Sequence, residues 1–323
     1  MKILVCGGAG YIGSHMVKLL ASSGYDVVTF DNLSSGHREA VKWGRLIEGD
    51  LLNPNDLENV FLNNEFDLVM HFSAKSIVPE SMENPSLYYN NNIVGTINLL
   101  DMMVKYDVKK FIFSSTAATY GIPETSEIPE EHKTVPINPY GHSKLMVEQI
   151  LQRYYEAYRL SSVTFRYFNA AGADPEGDIG ENHDPETHLI PNILKSLLED
   201  NASLKVFGDD YATPDGTCVR DYVHVNDLAA AHLLGANYLH DKTGAHLFNL
   251  GSGSGYSVLE VIKAAEVAVG KPISYSVEQR RAGDPDTLIA NSTKARTILG
   301  WKPDFDNIND IVGTAWKWHS AKG

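Results

Sequence analysis

The sequence predicts an α/β fold, a doubly wound and mostly parallel sheet joined to a smaller mixed α/β unit. Three observations predict it. Short apolar runs recur through the first half, segments of helical spacing separate them, and the texture turns polar and irregular after about Ala170. A continuous apolar run marks a strand buried on both faces, and strands alternating with helices pair in parallel.

The elements follow in order. ILVCG (3–7) is the first strand and runs through glycines into IGSHMVKLLASSG, whose apolar positions recur at helical spacing. DVVTF (26–30) and RLIEG (45–49) are the second and third strands, and LENVFLNN is the helix after them. DLVMHF (67–72), KKFIFSS (109–115) and SVTFRYF (162–168) complete the set. The polar stretch GADPEGDIGENHDPETH is too long for an idle connection and opens the second unit. VNDLAAAHLLGANYLH reads as a helix beyond it, among isolated strands.

Composition narrows the function. A chain of 323 residues can bury a sizeable core. No apolar run reaches membrane-spanning length, and the start lacks the features of a secretory signal, so the expected location is cytoplasmic. A formal charge of −14 without a basic run argues against a nucleic-acid partner, while an anionic small ligand needs only a few arginines and helix N-termini. Cys6 and Cys218 are far apart, and Cys6 reads as a small core residue. HDPETH, from His183 to His188, carries metal-capable side chains, but its carboxylates and proline read as a loop, and no metal site is expected.

GGAGYIG (7–13) follows the first strand and opens a helix. It meets the G-x-G-x-x-G spacing through Gly8, Gly10 and Gly13, and a related spacing through Gly7, Gly10 and Gly13. Glycines here allow the tight turn and bring backbone N–H groups to a pyrophosphate. Asp31 ends the second run where a carboxylate would accept from an adenosine ribose, and NLSSG after it has no arginine for a 2′-phosphate. A Rossmann-type site for NAD rather than NADP is expected. Asp50, in GDL (49–51), lies where the adenine should fall, and serves equally well as a turn or helix cap.

FSSTAATYG (113–121) closes the fifth run at the carboxyl edge of the sheet, where ligands of open α/β sheets bind. Tyr140 and Lys144 then share one face of a helix that begins after Pro139. A phenol titrating at about 10 is a poor base, and a neighbouring ammonium together with a positively charged nicotinamide would favour the phenolate. The plain alternative is an aromatic packed at a helix start beside a solvated lysine. A dinucleotide turn and SST in the same chain favour chemistry.

The chain resembles the extended short-chain dehydrogenase/reductase family and, within it, the UDP-hexose 4-epimerase branch. The likeness rests on GGAGYIGSH, FDNLSSGH, HFSAKSIVPESMENPSLYYNNNIVGT, FSSTAATYG, NPYGHSK, RYFNAAGADPEG, FGDDYATPDGTCVRDYVHV and RAGDPDTLIANSTKA, and runs to about residue 301. It implies that Tyr140 takes the proton of the sugar 4-hydroxyl, that Thr116 hydrogen-bonds the reacting oxygen, and that Lys144 holds the nicotinamide ribose. NAD would be tightly bound, with contacts from Gly7, Gly10, Tyr11, Ile12, Gly13, Asp31, Asn32, Leu33, Ser34, Ser35, Gly36, Asp50, Leu51, Phe72, Ser73, Ala74, Lys75, Ser76, Asn91, Ser114 and Phe168. Arg220 and Arg281 would grip the UDP phosphates and Asp284 its ribose, with Asn169 at the pyrophosphate or sugar and Leu189 and Phe207 near uracil. Leu288 falls where the branch gates its hexose pocket, with a tyrosine in sugar-only members and a small residue where N-acetyl sugars are accepted. Without the likeness, Arg220 beside Asp221 would read as a surface ion pair.

The implied division is 1–169 for the NAD domain, with segments near 220–252 returning to it, and 170–323 for a UDP-sugar domain; a homodimer is expected from the family. SAKS puts Ser76 where some members carry a lysine, and shifts Lys75 by one. A nucleotide-sugar 4,6-dehydratase would need acid–base groups directly after Thr116, where this chain has Ala117 and Ala118. A decarboxylating or ordinary nucleotide-sugar dehydrogenase would need exchangeable NAD and is excluded less firmly. A non-catalytic NAD sensor is a further rival, but such proteins lose the tyrosine or the lysine.

Overall fold

The computed structural model describes residues 1–198, 204–281 and 284–322. The strands are β1 (Lys2–Cys6), β2 (Asp26–Asp31), β3 (Arg45–Glu48), β4 (Leu68–His71), β5 (Lys110–Thr116), β6 (Glu127–Ile128), β7 (Ser161–Tyr167), β8 (Asn169–Ala171), β9 (Leu204–Phe207), β10 (Val219–His224), β11 (Ala245–Leu250), β12 (Gly255–Ser257), β13 (Tyr275–Glu278) and β14 (Thr287–Ala290). The helices are α1 (Tyr11–Ser22), α2 (Pro54–Leu62), α3 (Val78–Glu83), α4 (Pro85–Tyr88), α5 (Gly95–Lys105), α6 (Pro139–Tyr158), α7 (Leu189–Leu198), α8 (Val225–Asp241), α9 (Val258–Val269) and α10 (Ile308–Ser320). None among the described residues is long and apolar enough to cross a membrane.

Seven parallel strands form the main sheet in the order β11-β7-β5-β4-β1-β2-β3. Each predicted apolar run is one of its strands, because both faces are covered. Along β1, Ile3 and Val5 pack with α1 and α8 on one side, and Leu4 and Cys6 pack with α2, α5 and α6 on the other. The order reverses between β1 and β4, and the crevice outside a reversal point is where such sheets bind ligands.

The second unit holds a mixed sheet, β12-β10-β14-β6 with β8 also on β10, and the pair β13-β9. Its own core gathers α7, α9 and α10 around Ile193, Val261 and Ile311. The chain crosses between the two sheets in both directions. β11 joins the main sheet beside β7, while β6 leaves the first half to pair with β14. Two caps fix the helices that matter most for the site. Asn138 accepts from the Gly141 N–H at 2.8 Å to start α6, with Pro139 in its first turn, and Ser257 and Glu260 form a reciprocal capping box on α9.

Candidate active site

The site begins with the turn between β1 and α1. Gly7 adopts φ +80°, a left-handed backbone that disfavours a side chain. A Cβ on Gly13 would lie 2.1 Å from the Gly7 carbonyl oxygen, so the helix can approach the turn only without one. The first N–H groups of α1 have no partner inside the helix and face the crevice as an anion site.

Around this turn lies an open cleft. Its lining contains Gly7, Gly10, Asp31, Asn32, Ser34, Ser35, Gly36, Asp50, Leu51, Phe72, Ser73, Ala74, Lys75 and Asn91, all anticipated, together with Phe30 and Gly49, which were not. The missed pair flank Asp31 and Asp50 at the same strand ends, and that adjacency was the available signal. Asp31 is held by N–H groups of Ala9 at 3.0 Å and Leu33 at 2.8 Å, while burial pushes its carboxyl up. Asp50 accepts from the Asn32 amide at 3.0 Å and from the Leu52 N–H at 2.8 Å, so it acts as a turn cap as well as a wall. A glycine cradle, a carboxylate at the end of β2 and hydroxyls after it fit a dinucleotide with a free ribose.

Other anticipated contacts lie elsewhere. The Tyr11 side chain is buried and its hydroxyl donates to the Gly172 carbonyl at 2.6 Å, because a buried hydroxyl needs a partner. Only its backbone is left for a phosphate. Ile12 packs against the core, Leu33 serves through its backbone at φ +58°, and Ser76 is exposed. Ser114, Tyr140, Lys144 and Phe168 are outside the cleft lining, on β5, α6 and the end of β7.

At the open end of β5, Thr116 lies close enough to the Tyr140 phenol to favour its charged form. Tyr140 keeps some exposed surface, yet its hydroxyl is crowded by protein, and burial raises its pKa while the nearby Thr116 hydroxyl pulls it partly back. Lys144 is buried and donates to the Ser114 carbonyl oxygen at 2.7 Å. Burial pushes its ammonium down to about 7, against the pull of Glu148. In the protein alone Lys144 does not lower the phenol; the expected lowering joins the lysine to a positively charged nicotinamide. Burial dominates both groups, and in each it disfavours the charged form.

Glu148, one helical turn beyond Lys144, is a residue the sequence reading missed. Its carboxylate takes Arg166 Nε at 3.0 Å and Nη2 at 2.5 Å, and Ser115 Oγ at 2.5 Å. The i, i+4 spacing from Lys144 was the signal.

On the substrate side, Arg220 donates to Asp284 at 2.6 Å and to the Val219 carbonyl at 2.7 Å. Arg281 is exposed and stacks 4.2 Å from the Phe207 ring centroid. Leu288 is the register partner of Arg220 between β14 and β10, Asn169 donates to the Asp221 carbonyl at 3.0 Å, and Leu189 opens α7. Asp221 corrects the surface-pair reading. It is fully buried and accepts from the N–H groups of Ser252 at 2.7 Å, Gly253 at 3.1 Å and Ala290 at 3.0 Å, while Arg220 turns to Asp284.

The UDP-glucose 4-epimerase of Lacticaseibacillus casei is 52% identical over 320 residues, covering 99% of this chain and 97% of that protein. The crystal structure of UDP-glucose 4-epimerase from Brucella ovis in complex with NAD superposes with a TM-score of 0.95 at 45% identity, covering 98% and 97% of the two chains. That of Bifidobacterium longum, in complex with NAD+ and UDP, gives 0.94 at 41% identity, covering 99% and 98%. Residues 3–251 match the NAD dependent epimerase/dehydratase family, and with the glycine turn, the Asp31 carboxylate and the Tyr140–Thr116 pair in place the chain belongs to that family.

Proposed function

We propose that the chain is an NAD-dependent isomerase that interconverts UDP-glucose and UDP-galactose by epimerisation at C4 through a 4-keto intermediate. The observation that carries this reading is the Tyr140–Thr116 pair at the open end of β5, in the same sheet edge as the Gly7–Asp31 cleft.

NAD, held by the cleft residues from Gly7 to Asn91, supplies the acceptor and later the donor of the C4 hydride. Tyr140 takes the proton of the C4 hydroxyl and gives it back after the sugar has turned over. Thr116 orients that phenol and the reacting oxygen. Since burial holds the phenol in its neutral form, its activation needs positive charge nearby, and the Lys144 ammonium is the group this chain provides. Arg220 and Arg281 hold the pyrophosphate as bidentate donors, leaving the hexose free to rotate. Asp284 and Asn169 bind the nucleotide ribose and the phosphate–sugar junction, and Leu189 and Phe207 flank uracil.

A second reading, turnover of the N-acetylated pair as well, is favoured by Leu288. It sits beside Arg220 in register and is smaller than a tyrosine. A dehydratase is disfavoured by Ala117 and Ala118, which move no protons. We also read the protein as a cytoplasmic homodimer joined through the helices after β4 and β5, a reading supported by the open groove on α6 at Met146 and Ile150.

The test is a proton NMR time course of anomeric signals with UDP-galactose and UDP-N-acetylgalactosamine in parallel, with no NAD added. Growth of UDP-glucose is expected. No conversion in either tube, even with NAD supplied, would overturn the reading.

A further inference from the structure

The loop between β8 and α7 gathers four side chains of metal-binding type at one point. Glu181, His183, Glu186 and His188 each offer one ligand atom, and these atoms all lie within 4.8 Å of one another. His183 Nδ1 is 3.1 Å from Glu181 Oε1 and 3.9 Å from Glu186 Oε1, and His188 Nδ1 contacts Glu181 and lies 3.9 Å from Glu186. Both imidazoles thus turn the same nitrogen toward the same two carboxylates. Zinc bonds of about 2.0–2.2 Å set ligand atoms roughly 3.4 Å apart at the corners of a tetrahedron, a spacing bracketed by the distances seen here.

Without a metal, the only groups among the described residues that balance the two carboxylates at close range are the two imidazoles. The side chains of Glu181 and Glu186 are each only 4% exposed, although both carry a carboxylate. Glu186 Oε2 is buried with no hydrogen-bond partner, and Lys195 comes no closer to it than 3.8 Å. Buried carboxylates are paired or bind metals. The other acidic cluster, Asp174, Glu176 and Asp178, differs because the Lys18 ammonium already bonds all three.

The surroundings are built to hold ligands in place. Glu186 Oε1 is fixed by the N–H groups of Thr187 at 2.8 Å and His188 at 2.9 Å, and the Glu181 carbonyl takes Trp318 Nε1 at 3.1 Å. Such outer contacts orient a metal's ligands. His188 is about half exposed and leaves a path for entry. We propose that Glu181, His183, Glu186 and His188 form a binding site for one divalent transition-metal ion of the zinc class. Two neutral imidazoles and two carboxylates balance its charge, and this donor set suits zinc or cobalt better than magnesium or calcium, which take all-oxygen shells. The ion would brace the start of α7 against α1, because the His183 ring meets the Tyr11 ring edge-on at 6.1 Å and the Asn182 carbonyl meets His37 at 2.8 Å.

The purified full-length protein, treated with chelator and dialysed, is titrated with zinc chloride by calorimetry and with cobalt chloride by visible absorption. One saturable equivalent, a cobalt spectrum of low coordination number and a raised thermal midpoint with zinc are expected. His183→Gln with His188→Gln, and separately the isosteric Glu186→Gln, should each weaken binding at least about tenfold while circular dichroism is unchanged. No saturable binding, or equal binding by these variants, would overturn the proposal. So would a protein without measurable metal affinity that the histidine variants nevertheless destabilise, for the cluster would then be a set of internal ion pairs.

Discussion

The ammonium of Lys144 and the carbonyl oxygen of Ser114 are joined at 2.7 Å, tying α6 to the carboxyl end of β5 beside Tyr140 and Thr116. The bond places a lysine in the interior, where burial pushes its pKa down to about 7.

That position makes stability depend on pH. An unfolded lysine titrates near about 10.4, so between about pH 7 and about pH 10 the unfolded chain binds more protons than the folded one. The contribution of this group therefore rises with pH across that window and is lost as pH falls toward the folded value. In nucleotide-free protein, the stability of the wild type relative to Lys144→Met should climb through the window and level off below it. Urea unfolding at stepped pH measures this, and a flat difference would refute it.

Tyr140→Phe keeps the ring and removes the proton carrier. The turnover number for UDP-galactose should fall by about 10²–10⁴-fold with little change in KM. Steady-state kinetics decide it, with circular dichroism as the check on folding. A variant that retained full turnover would displace Tyr140 from its role.

Gly13→Ala introduces a Cβ 2.1 Å from the Gly7 carbonyl oxygen, so the turn has to open. Nucleotide that stays with the purified wild type should be largely absent from the variant, as measured by chromatography of the denatured supernatant. Full occupancy would mean that the turn tolerates the group.

Arg220→Ala removes a nearly buried guanidinium and leaves Asp284 without its partner. KM for the nucleotide sugar should rise by about tenfold to a hundredfold, with a smaller effect on turnover. An unchanged KM would place the phosphate grip elsewhere.

Leu288→Tyr adds bulk beside Arg220. The rate ratio of the plain to the N-acetylated substrate pair should increase, read from parallel NMR time courses. An unaltered ratio would rule out a gating role.

The strands of the main sheet were legible because each is a continuous apolar run, a pattern that survives in one dimension. The glycine turn was legible for a similar reason, since Gly7, Gly10 and Gly13 lie within a few residues and the constraint they answer is local. Tyr140 and Lys144 could be paired by helical spacing alone. β6 could not be assigned to its sheet, because it pairs with β14 across more than a hundred residues.

By itself, then, the sequence determined the alternating α/β order, the glycine turn and the residue types of the proposed reaction centre. These depend on periodicity and on short spacings, which are properties of neighbours along the chain. Tertiary structure alone decided that Asp221 is a buried anchor instead of a surface charge, that burial and not Lys144 governs the Tyr140 phenol, and that Glu181 joins His183, Glu186 and His188. Desolvation and charge pairing act through space, and the order of residues along the chain does not show them even where, as from Glu181 to His188, the partners are near neighbours.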